Sequence, residues 1–212
     1  WTLERDDSGP HRVYRDKSGV SYASVTHILK ETSPQWQKDA LDRWLERPTA
    51  PMERDVACER GTLAHNHAEY VLKTAAKLAR NSANKRGSWR TGDDGLERAP
   101  KGITTWAIEK AIQGAPRVSW SASGYARGLR TWIGENVTAI HAIEFSIHDP
   151  RGWAGTADAL IDVNGTLCVA DWKTSVSARS EEMLSNYICQ TGAYSLGLQH
   201  LTGLKPKLGA VV

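Results

Sequence analysis

The sequence predicts a mixed α/β domain, of the α/β or α+β class, in which helices precede a small sheet. Apolar residues recur at helical spacing up to about residue 135, whereas from residue 138 they alternate with a period of two. Asn164-Gly165 then separates two apolar runs, which is the strongest short-range signal for a β-hairpin and requires a type I′ turn. The second half therefore reads strand, strand, strand, helix, strand.

The first part, residues 1–135, is predicted to be helical after an irregular or hairpin segment over residues 1–22. Turn-forming residues and excess positive charge define a basic loop at 80–102, since Lys73–Lys101 contains eight basic and three acidic residues. Five helices are predicted. A short one has Ser24 as its N-cap, and a second one follows Pro34 and is ended by Pro48 and Pro51. The others run from Glu53 or Gly61 to Leu78, over 103–113 and over 121–135.

The second part, residues 136–212, is predicted to be the β-β-β-α-β core of the same structural domain. Ile143, Phe145 and Ile147 alternate along the first strand. The remaining predicted elements are strands over Trp153–Val163, Thr166–Thr174 and Lys207–Val212 and a helix over Glu181–Leu198. Because the chain stops within a predicted strand, we expect further protein to follow Val212.

Composition excludes several classes of protein. The chain has 212 residues, of which 40% are hydrophobic and 24% charged, so disorder is excluded as its main state. No apolar run approaches the ~18–20 residues of a membrane helix. Three cysteines without a CxxC pair exclude a four-cysteine zinc or iron–sulfur site within this chain and favour a reducing cytoplasm.

Charge is unevenly distributed along the chain. Residues 1–130 contain 22 Lys and Arg against 16 Asp and Glu, a net charge of +6, and residues 131–212 contain 5 against 8, a net charge of −3. The basic part suits a polyanion and the acidic part suits a cation. Ordinary solvated surface is the alternative interpretation of both.

The hairpin register brings two carboxylates together. With Asn164 and Gly165 as the loop, Asp158 faces Asp171 and Thr156 faces Lys173. Facing Cβ atoms lie about 5 Å apart, where two like charges repel by roughly 3 kcal/mol at an effective dielectric constant of about 20. Either one carboxyl is protonated or a cation lies between them, and oxygen ligands favour Mg²⁺ or Mn²⁺. The alternative is a surface strand end paired with Lys173, against which the apolar neighbours argue.

Further polar residues converge on the same region. Glu144 lies on the preceding strand, on the face opposite Ile143 and Phe145. Gln190 and Tyr194 are four residues apart and share one face of the following helix. His65 lies early in a helix that follows Arg60-Gly61-Thr62. Each also has an ordinary structural interpretation, namely an exposed strand position, a polar helix edge and a structural histidine.

Together these segments resemble the PD-(D/E)XK nucleases, and more closely the RecB-type exonuclease branch with its phage, CRISPR-associated and mitochondrial members. The resemblance extends from Ser24 to Val212. The segments that carry it are Ser24-Val25-Thr26-His27-Ile28-Leu29, Arg60-Gly61-Thr62-Leu63-Ala64-His65, Gly155-Thr156-Ala157-Asp158, Asp171-Trp172-Lys173-Thr174, and Gln190 with Tyr194. The Pro of the family's name is absent, and so are the cysteines of its iron–sulfur members.

The resemblance implies a restriction-endonuclease-like core, a mixed sheet flanked by helices, and a divalent-metal site. Asp158 and Asp171 would be the metal carboxylates, joined by His65 and the backbone carbonyl of Trp172. The ion would be Mg²⁺, with Mn²⁺ as a substitute and no iron–sulfur cluster.

The remaining roles also follow from the resemblance. Glu144 would bind the metal or position water, and Lys173 would orient or deprotonate the attacking water. Gln190 and Tyr194 would position the DNA backbone. The other nucleic-acid contacts that we expect are Arg60, Thr156, Lys85, Arg86 and Arg90, with Trp89 and Trp120 as residues that could stack on bases.

We therefore expect a metal-dependent DNA exonuclease that acts on linear or single-stranded DNA. The alternatives are an endonuclease of the same fold and a DNA-binding module that does not cleave. We expect DNA as the partner, no membrane association, and a cytoplasmic location in a bacterium or a phage-infected cell. The analogy with phage enzymes leaves open a recombination partner or a homo-oligomer.

Overall fold

The computed structural model describes residues 3–177 and 180–212, which form nine strands and six helices. The strands are β1 (Glu4–Asp6), β2 (Val13–Arg15), β3 (Ser21–Ser24), β4 (Arg90–Thr91), β5 (Glu97–Arg98), β6 (Val137–Asp149), β7 (Trp153–Val163), β8 (Thr166–Asp171) and β9 (Leu208–Val211). The helices are α1 (Val25–Glu31), α2 (Gln35–Leu45), α3 (Ala50–Arg86), α4 (Lys101–Gln113), α5 (Trp120–Asn136) and α6 (Glu181–Thr202).

Strand β7 is the centre of a seven-stranded mixed sheet. One of its edges pairs with β6 over the whole of β7, in antiparallel orientation. The other edge is shared by two strands, since β8 pairs with Ala159–Val163 and β3 pairs in parallel with Trp153 and Ala154. In the described part of the chain, residues 155–158 therefore have no strand partner on this edge. The gap opens the sheet where Asp158 lies.

The predicted hairpin register is confirmed up to that gap. Val163 pairs with Thr166 and Leu160 with Val169, and the ladder ends at Ala159 opposite Ala170. The predicted pairing of Thr156 with Lys173 is wrong, because β8 ends at Asp171. Lys173 lies beside the end of β9 instead of opposite β7, because its backbone N–H donates to the Val212 carbonyl at 2.7 Å.

Two predictions for the first part of the chain are also wrong. Residues 80–86 of the expected basic loop belong to α3, and the rest of that loop contains the hairpin β4–β5 before α4 begins at Lys101. Pro51 lies in the first turn of α3 rather than at the end of the preceding helix, which suits a residue without an N–H group. The hairpin alternative for residues 1–22 is confirmed, because β1–β3 form an antiparallel meander, which joins the main sheet.

Helices cover both faces of the sheet, as predicted. One core packs α3, α4 and α5 on a face that includes Ile161 and Ala170, and the other packs α1 and α6 on a face that includes Leu160 and Val169. Small residues line the buried side of α3 and allow the sheet and α4 to approach closely; they are Ala64, Ala68, Ala75, Ala79 and Ala83. Among residues 3–177 and 180–212, no helix combines the length and the hydrophobicity needed to cross a membrane.

Candidate active site

Asp158 and Asp171 lie at the gap beside β7. Both are buried, with exposed fractions of 8% and 2%. Asp158 Oδ2 accepts a hydrogen bond of 2.5 Å from the backbone N–H of Trp172, which links the two strand ends just beyond the last ladder pair. The Trp172 side chain is buried in the core and packs edge-on against Trp132. Two neighbouring strands thus deliver two carboxylates to one place.

Asp171 is held from two sides. Its Oδ2 contacts the ammonium of Lys173, and its Oδ1 accepts a 2.9 Å hydrogen bond from Gln190. Burial raises the pKa of Asp171, as does the negative charge of Asp158, and Lys173 opposes this increase only in part. The carboxylate is therefore incompletely compensated.

Gly155 makes room for the next residue in this network. A Cβ atom at Gly155 would lie 2.4 Å from Cε1 of Tyr194 and 2.8 Å from its hydroxyl oxygen. The tyrosine ring consequently packs against the β7 backbone at Gly155, and its hydroxyl accepts a 3.0 Å hydrogen bond from Gln190. Burial raises the pKa of Tyr194, so this hydroxyl stays protonated at neutral pH. Gln190 is thereby fixed against Asp171.

His65 approaches the carboxylates from α3. Its Nδ1 lies 3.4 Å from Asp158 Oδ1. Burial lowers the pKa of His65, but the hydrogen bond and the negative charge of Asp158 raise it by more, so the net pKa is raised. The imidazole and the carboxylate are thus close enough to share a proton or a cation.

Glu144 occupies an irregular position on β6. It has a φ of 50°, in the left-handed region that residues other than glycine seldom adopt. Its neighbours Ile143 and Phe145 pair with Ala159 and Ala157, which places Glu144 level with Asp158. Burial and the negative charge of Asp158 raise the pKa of Glu144 to about 7, although part of the side chain remains exposed.

The side-chain alternation changes at this same level on both strands. Ile143 packs in the core under α3, whereas Phe145 packs in the core under α6. On β7, Ala159 packs in the core under α3 and Ala157 packs in the core under α6. The prediction that Ile143 and Phe145 share one face is therefore wrong, and the left-handed Glu144 backbone is the physical reason on β6.

A cleft of about 360 Å³ collects most of the predicted site residues. The predicted residues that line it are His65, Glu144, Thr156, Asp158, Asp171, Lys173, Gln190 and Tyr194. Arg60 lines a neighbouring cavity of about 500 Å³, where its Nη1 donates to the hydroxyl of Tyr125 at 3.3 Å. The structure does not bring Lys85, Arg86 and Arg90 to the cleft, because Lys85 lies roughly 30 Å along α3 from His65.

Sequence reasoning missed seven residues of the cleft, of which Gly61 and Thr62 lie within the segment that begins at Arg60. Asn66 and Glu69 follow His65 on α3, and Thr26 lies within the segment that begins at Ser24, so helical spacing and the resemblance held signals for all three. Arg5 and Arg12 come from the meander, and each contacts Asp7 through its Nε at 2.6 Å. No local pattern brings them here, because the parallel pairing of β3 with β7 joins distant parts of the chain.

The donor set suits a divalent cation. Two carboxylates, an imidazole and the nearby Glu144 surround the cleft, and Asp171 is a buried carboxylate whose negative charge Lys173 compensates only in part. Hard cations prefer such oxygen ligands. Within the described residues no three His, Cys, Asp or Glu side chains are grouped closely enough to form a preformed site. The Trp172 N–H and the Lys173 ammonium instead contact the two carboxylates, so a cation would have to displace or share these contacts.

Fold and site together define a nuclease of the PD-(D/E)XK type. Residues 23–212 match the PD-(D/E)XK nuclease superfamily, and the chain belongs to it. Membership supports hydrolytic cleavage of DNA.

A particular relative is mitochondrial genome maintenance exonuclease 1 of Mus musculus, to which the chain is 24% identical over 176 residues. The match covers 79% of this chain and 40% of that protein, so the chain spans well under half of the relative's length.

Proposed function

We propose that this protein is a Mg²⁺-dependent exonuclease that hydrolyses phosphodiester bonds of linear or single-stranded DNA. The observation that carries the proposal is the convergence of Asp158, Asp171 and Lys173 at the gap beside β7, with His65 and Glu144 facing them across one cleft. The exonuclease part is further supported by the name of the mouse relative.

Asp158, Asp171 and His65 would hold the ion, joined by the Trp172 carbonyl. A bound divalent ion would neutralise charge on the phosphate and make a water more acidic. The Lys173 ammonium would orient the attacking water and stabilise the negative charge that develops on the phosphate oxygens. Glu144, whose pKa of about 7 lies close to physiological pH, would accept a proton from that water.

Gln190 and Tyr194 receive a different role from the one that the sequence suggested. Both side chains are buried, and their hydrogen bonds run to Asp171 and to each other. We therefore assign them as positioning residues that orient Asp171. Three residues of the cleft are better placed to contact a phosphate. They are Thr156, whose Oγ1 lies 3.3 Å from the Tyr14 hydroxyl, the exposed Arg5 and the partly exposed Arg12.

The cellular setting is part of the same proposal. The three cysteines are free, which supports a reducing compartment such as the bacterial cytoplasm or that of a phage-infected cell. A recombination partner and a homo-oligomer stay predictions made by analogy with phage enzymes.

The test is a time course on end-labelled linear duplex, single-stranded and closed circular DNA with Mg²⁺, Mn²⁺ or EDTA. We expect degradation of linear or single-stranded DNA, an intact closed circle, and no cleavage in EDTA or with Lys173→Ala. Lys110→Ala, which removes an exposed lysine of α4, is the matched control and should cleave like wild type. Cleavage of the circle would make the protein an endonuclease, and binding without cleavage under any metal would make it a DNA-binding module.

A further inference from the structure

A second cavity continues the catalytic cleft along α3. It measures about 390 Å³ and lies between α3, β6 and the hairpin β4–β5. The two cavities meet at adjacent residues, because Glu69 lines the cleft and its ion-pair partner Lys73 lines the second cavity. On β6, Glu144 lines the cleft and the preceding Ile143 lines the second cavity. We call this second cavity the α3 groove.

Cations form one wall of the α3 groove. Lys73, Lys77 and Arg80 follow Glu69 at intervals of three or four residues, so they project from the same side of the helix as the catalytic cleft. All three are exposed. Lys73 is paired with Glu69, whereas Lys77 and Arg80 make no ion pair or hydrogen bond among residues 3–177 and 180–212. Two unpaired cations thus face the groove.

The floor of the α3 groove is apolar and its far wall is anchored. Ala139, Ile140, Ala142 and Ile143 of β6 line the groove together with Trp89, whose Nε1 donates a 2.6 Å hydrogen bond to Asn84. The hairpin is tied to the sheet by Arg98, whose Nε donates to the buried Asp162 at 2.6 Å. Glu97 is the acidic side chain that this hairpin adds to the lining. The wall therefore needs no rearrangement before it can contact a ligand.

We infer that the α3 groove binds the sugar–phosphate backbone of a single nucleic-acid strand as it extends from the catalytic cleft. Lys77 and Arg80 would contact phosphates, and Trp89 and the apolar floor would contact bases. Single-strand binders combine a cationic track with aromatic surfaces for unstacked bases in this way. A duplex keeps its base faces stacked inside, so it would leave the apolar floor without a contact. The inference rests on the proposed function and names the strand path of that same site.

The length of the α3 groove agrees with this assignment. From Glu69 to Arg80 the helix rises roughly 16 Å, at about 1.5 Å per residue. An unstacked single strand spaces its phosphates more widely than the about 3.4 Å of a duplex strand, so this distance covers only a few nucleotides. The path would therefore carry a short stretch of strand beyond the scissile phosphate.

The test measures binding separately from cleavage. Every protein carries Lys173→Ala, so that the DNA stays intact. Anisotropy of a labelled twelve-nucleotide single strand is followed from low to high salt, with and without Lys77→Ala plus Arg80→Ala. Loss of two phosphate contacts should weaken binding about tenfold at 100 mM salt and reduce the slope of log affinity against log salt by about 1.4, since each single-strand contact contributes about 0.7.

Matched controls decide the outcome. Lys110→Ala plus Arg117→Ala removes two exposed cations from the region of α4 and should leave both values unchanged. Equal melting temperatures establish that the variants are folded. Unchanged affinity and slope, an equal loss in the control pair, or a loss for duplex but not for single strands would each overturn the inference.

A cleavage assay separates this inference from the proposed function. With Lys173 intact, the groove variant should raise KM for the twelve-nucleotide strand and leave kcat within about twofold, because the cations bind substrate and transition state equally. A wild-type protein that binds in the α3 groove but cleaves nothing would contradict the proposed function and leave the inference standing.

Discussion

Strand β7 carries two buried carboxylates, Asp158 and Asp162, whose surroundings differ. Asp162, with an exposed fraction of 2%, lies 2.6 Å from Arg98 Nε and 2.9 Å from His141 Nε2. Burial raises the pKa of Asp162, but hydrogen bonds from His141 and Arg98 lower it by more. Asp158 shares its surroundings with Asp171, whose pKa is raised, and with Glu144, whose pKa is raised to about 7.

The difference separates a carboxylate with structural contacts from one to which we assign a functional role in our proposal. Asp162 is saturated by its contacts with the Arg98 guanidinium and the His141 ring, and it anchors the hairpin β4–β5 to the sheet. The Asp158–Asp171 pair is left short of positive charge, and added cation would stabilise it. Burial alone does not distinguish the two sites, whereas the balance of partners does.

The largest expected effect is the loss of cleavage in Asp171→Asn. Without this carboxylate the site loses a ligand for the ion, so we expect cleavage of single-stranded DNA to fall at least about 10²–10³-fold. The pKa of Asp171 is raised in the fold, so its ionisation opposes folding at neutral pH, and Asn removes that cost. Asn also loses the ion pair with Lys173, which offsets this gain, so urea denaturation should show a variant about as stable as wild type. Cleavage at the wild-type rate would remove Asp171 from the active site.

Asp162→Asn should have the opposite effects, a loss of stability with cleavage largely retained. Breaking a buried ion pair from one side leaves the Arg98 and His141 contacts uncompensated, and we expect a loss of about 3 kcal/mol in the free energy of unfolding. The folded fraction should still cleave DNA within a few-fold of wild type. Asp55→Asn, at an exposed ion pair with Arg54, is the matched control and should change stability by less than about 0.5 kcal/mol. Equal stability of both variants would contradict the structural role of Asp162.

Gly155→Ala tests how the functional carboxylate is positioned. The new Cβ would lie 2.4 Å from the Tyr194 ring, so the ring must move away from Gln190. Overpacking of this kind costs about 1–3 kcal/mol. Cleavage should fall with it, because Gln190 orients Asp171. The matched control is Gly124→Ala in α5, where a Cβ meets open space and the better helix propensity should add about 0.5–1 kcal/mol. Full activity of Gly155→Ala would show that Tyr194 and Gln190 do not position the site.

The smallest expected effect is a pH dependence of the Asp162 contribution. Because the folded pKa of Asp162 is lowered, its stabilisation is fully present above the unfolded value of about 4 and is lost as the pH falls through the folded pKa. The stability gap between wild type and Asp162→Asn should be constant from pH 5 to 7 and should shrink below about pH 4. Chemical denaturation at each pH measures it. A gap that does not change down to pH 3 would mean that Asp162 gains no net stabilisation from ionisation.

The meeting of Asp158 and Asp171 could be predicted from the sequence because it depends on local strand pairing. The Asn164-Gly165 turn fixes the register of β7 and β8, and the register brings Asp158 and Asp171 together. Gln190 and Tyr194 follow from helical spacing. Such short-range geometry is encoded in a few neighbouring residues.

The rest depends on contacts between distant residues. Residues 80–86 look like a loop, yet they are helical because Ala79 and Ala83 bury against the core, and this packing outweighs the loop preference of Asn81 and Asn84. The left-handed backbone of Glu144 and the partners of Asp162 likewise arise only when α3, β5 and β6 are assembled. Sequence patterns predict the elements, and packing decides where they end.

Calorimetric titration with Mn²⁺ in the absence of DNA tests the central claim most directly. We expect saturable binding to wild type and to Gly124→Ala, and loss of that binding in Asp171→Asn despite its unchanged stability. Binding of Mn²⁺ by Asp171→Asn with wild-type affinity, or no binding by the wild type, would contradict the claim that the carboxylates beside the β7 gap hold the ion.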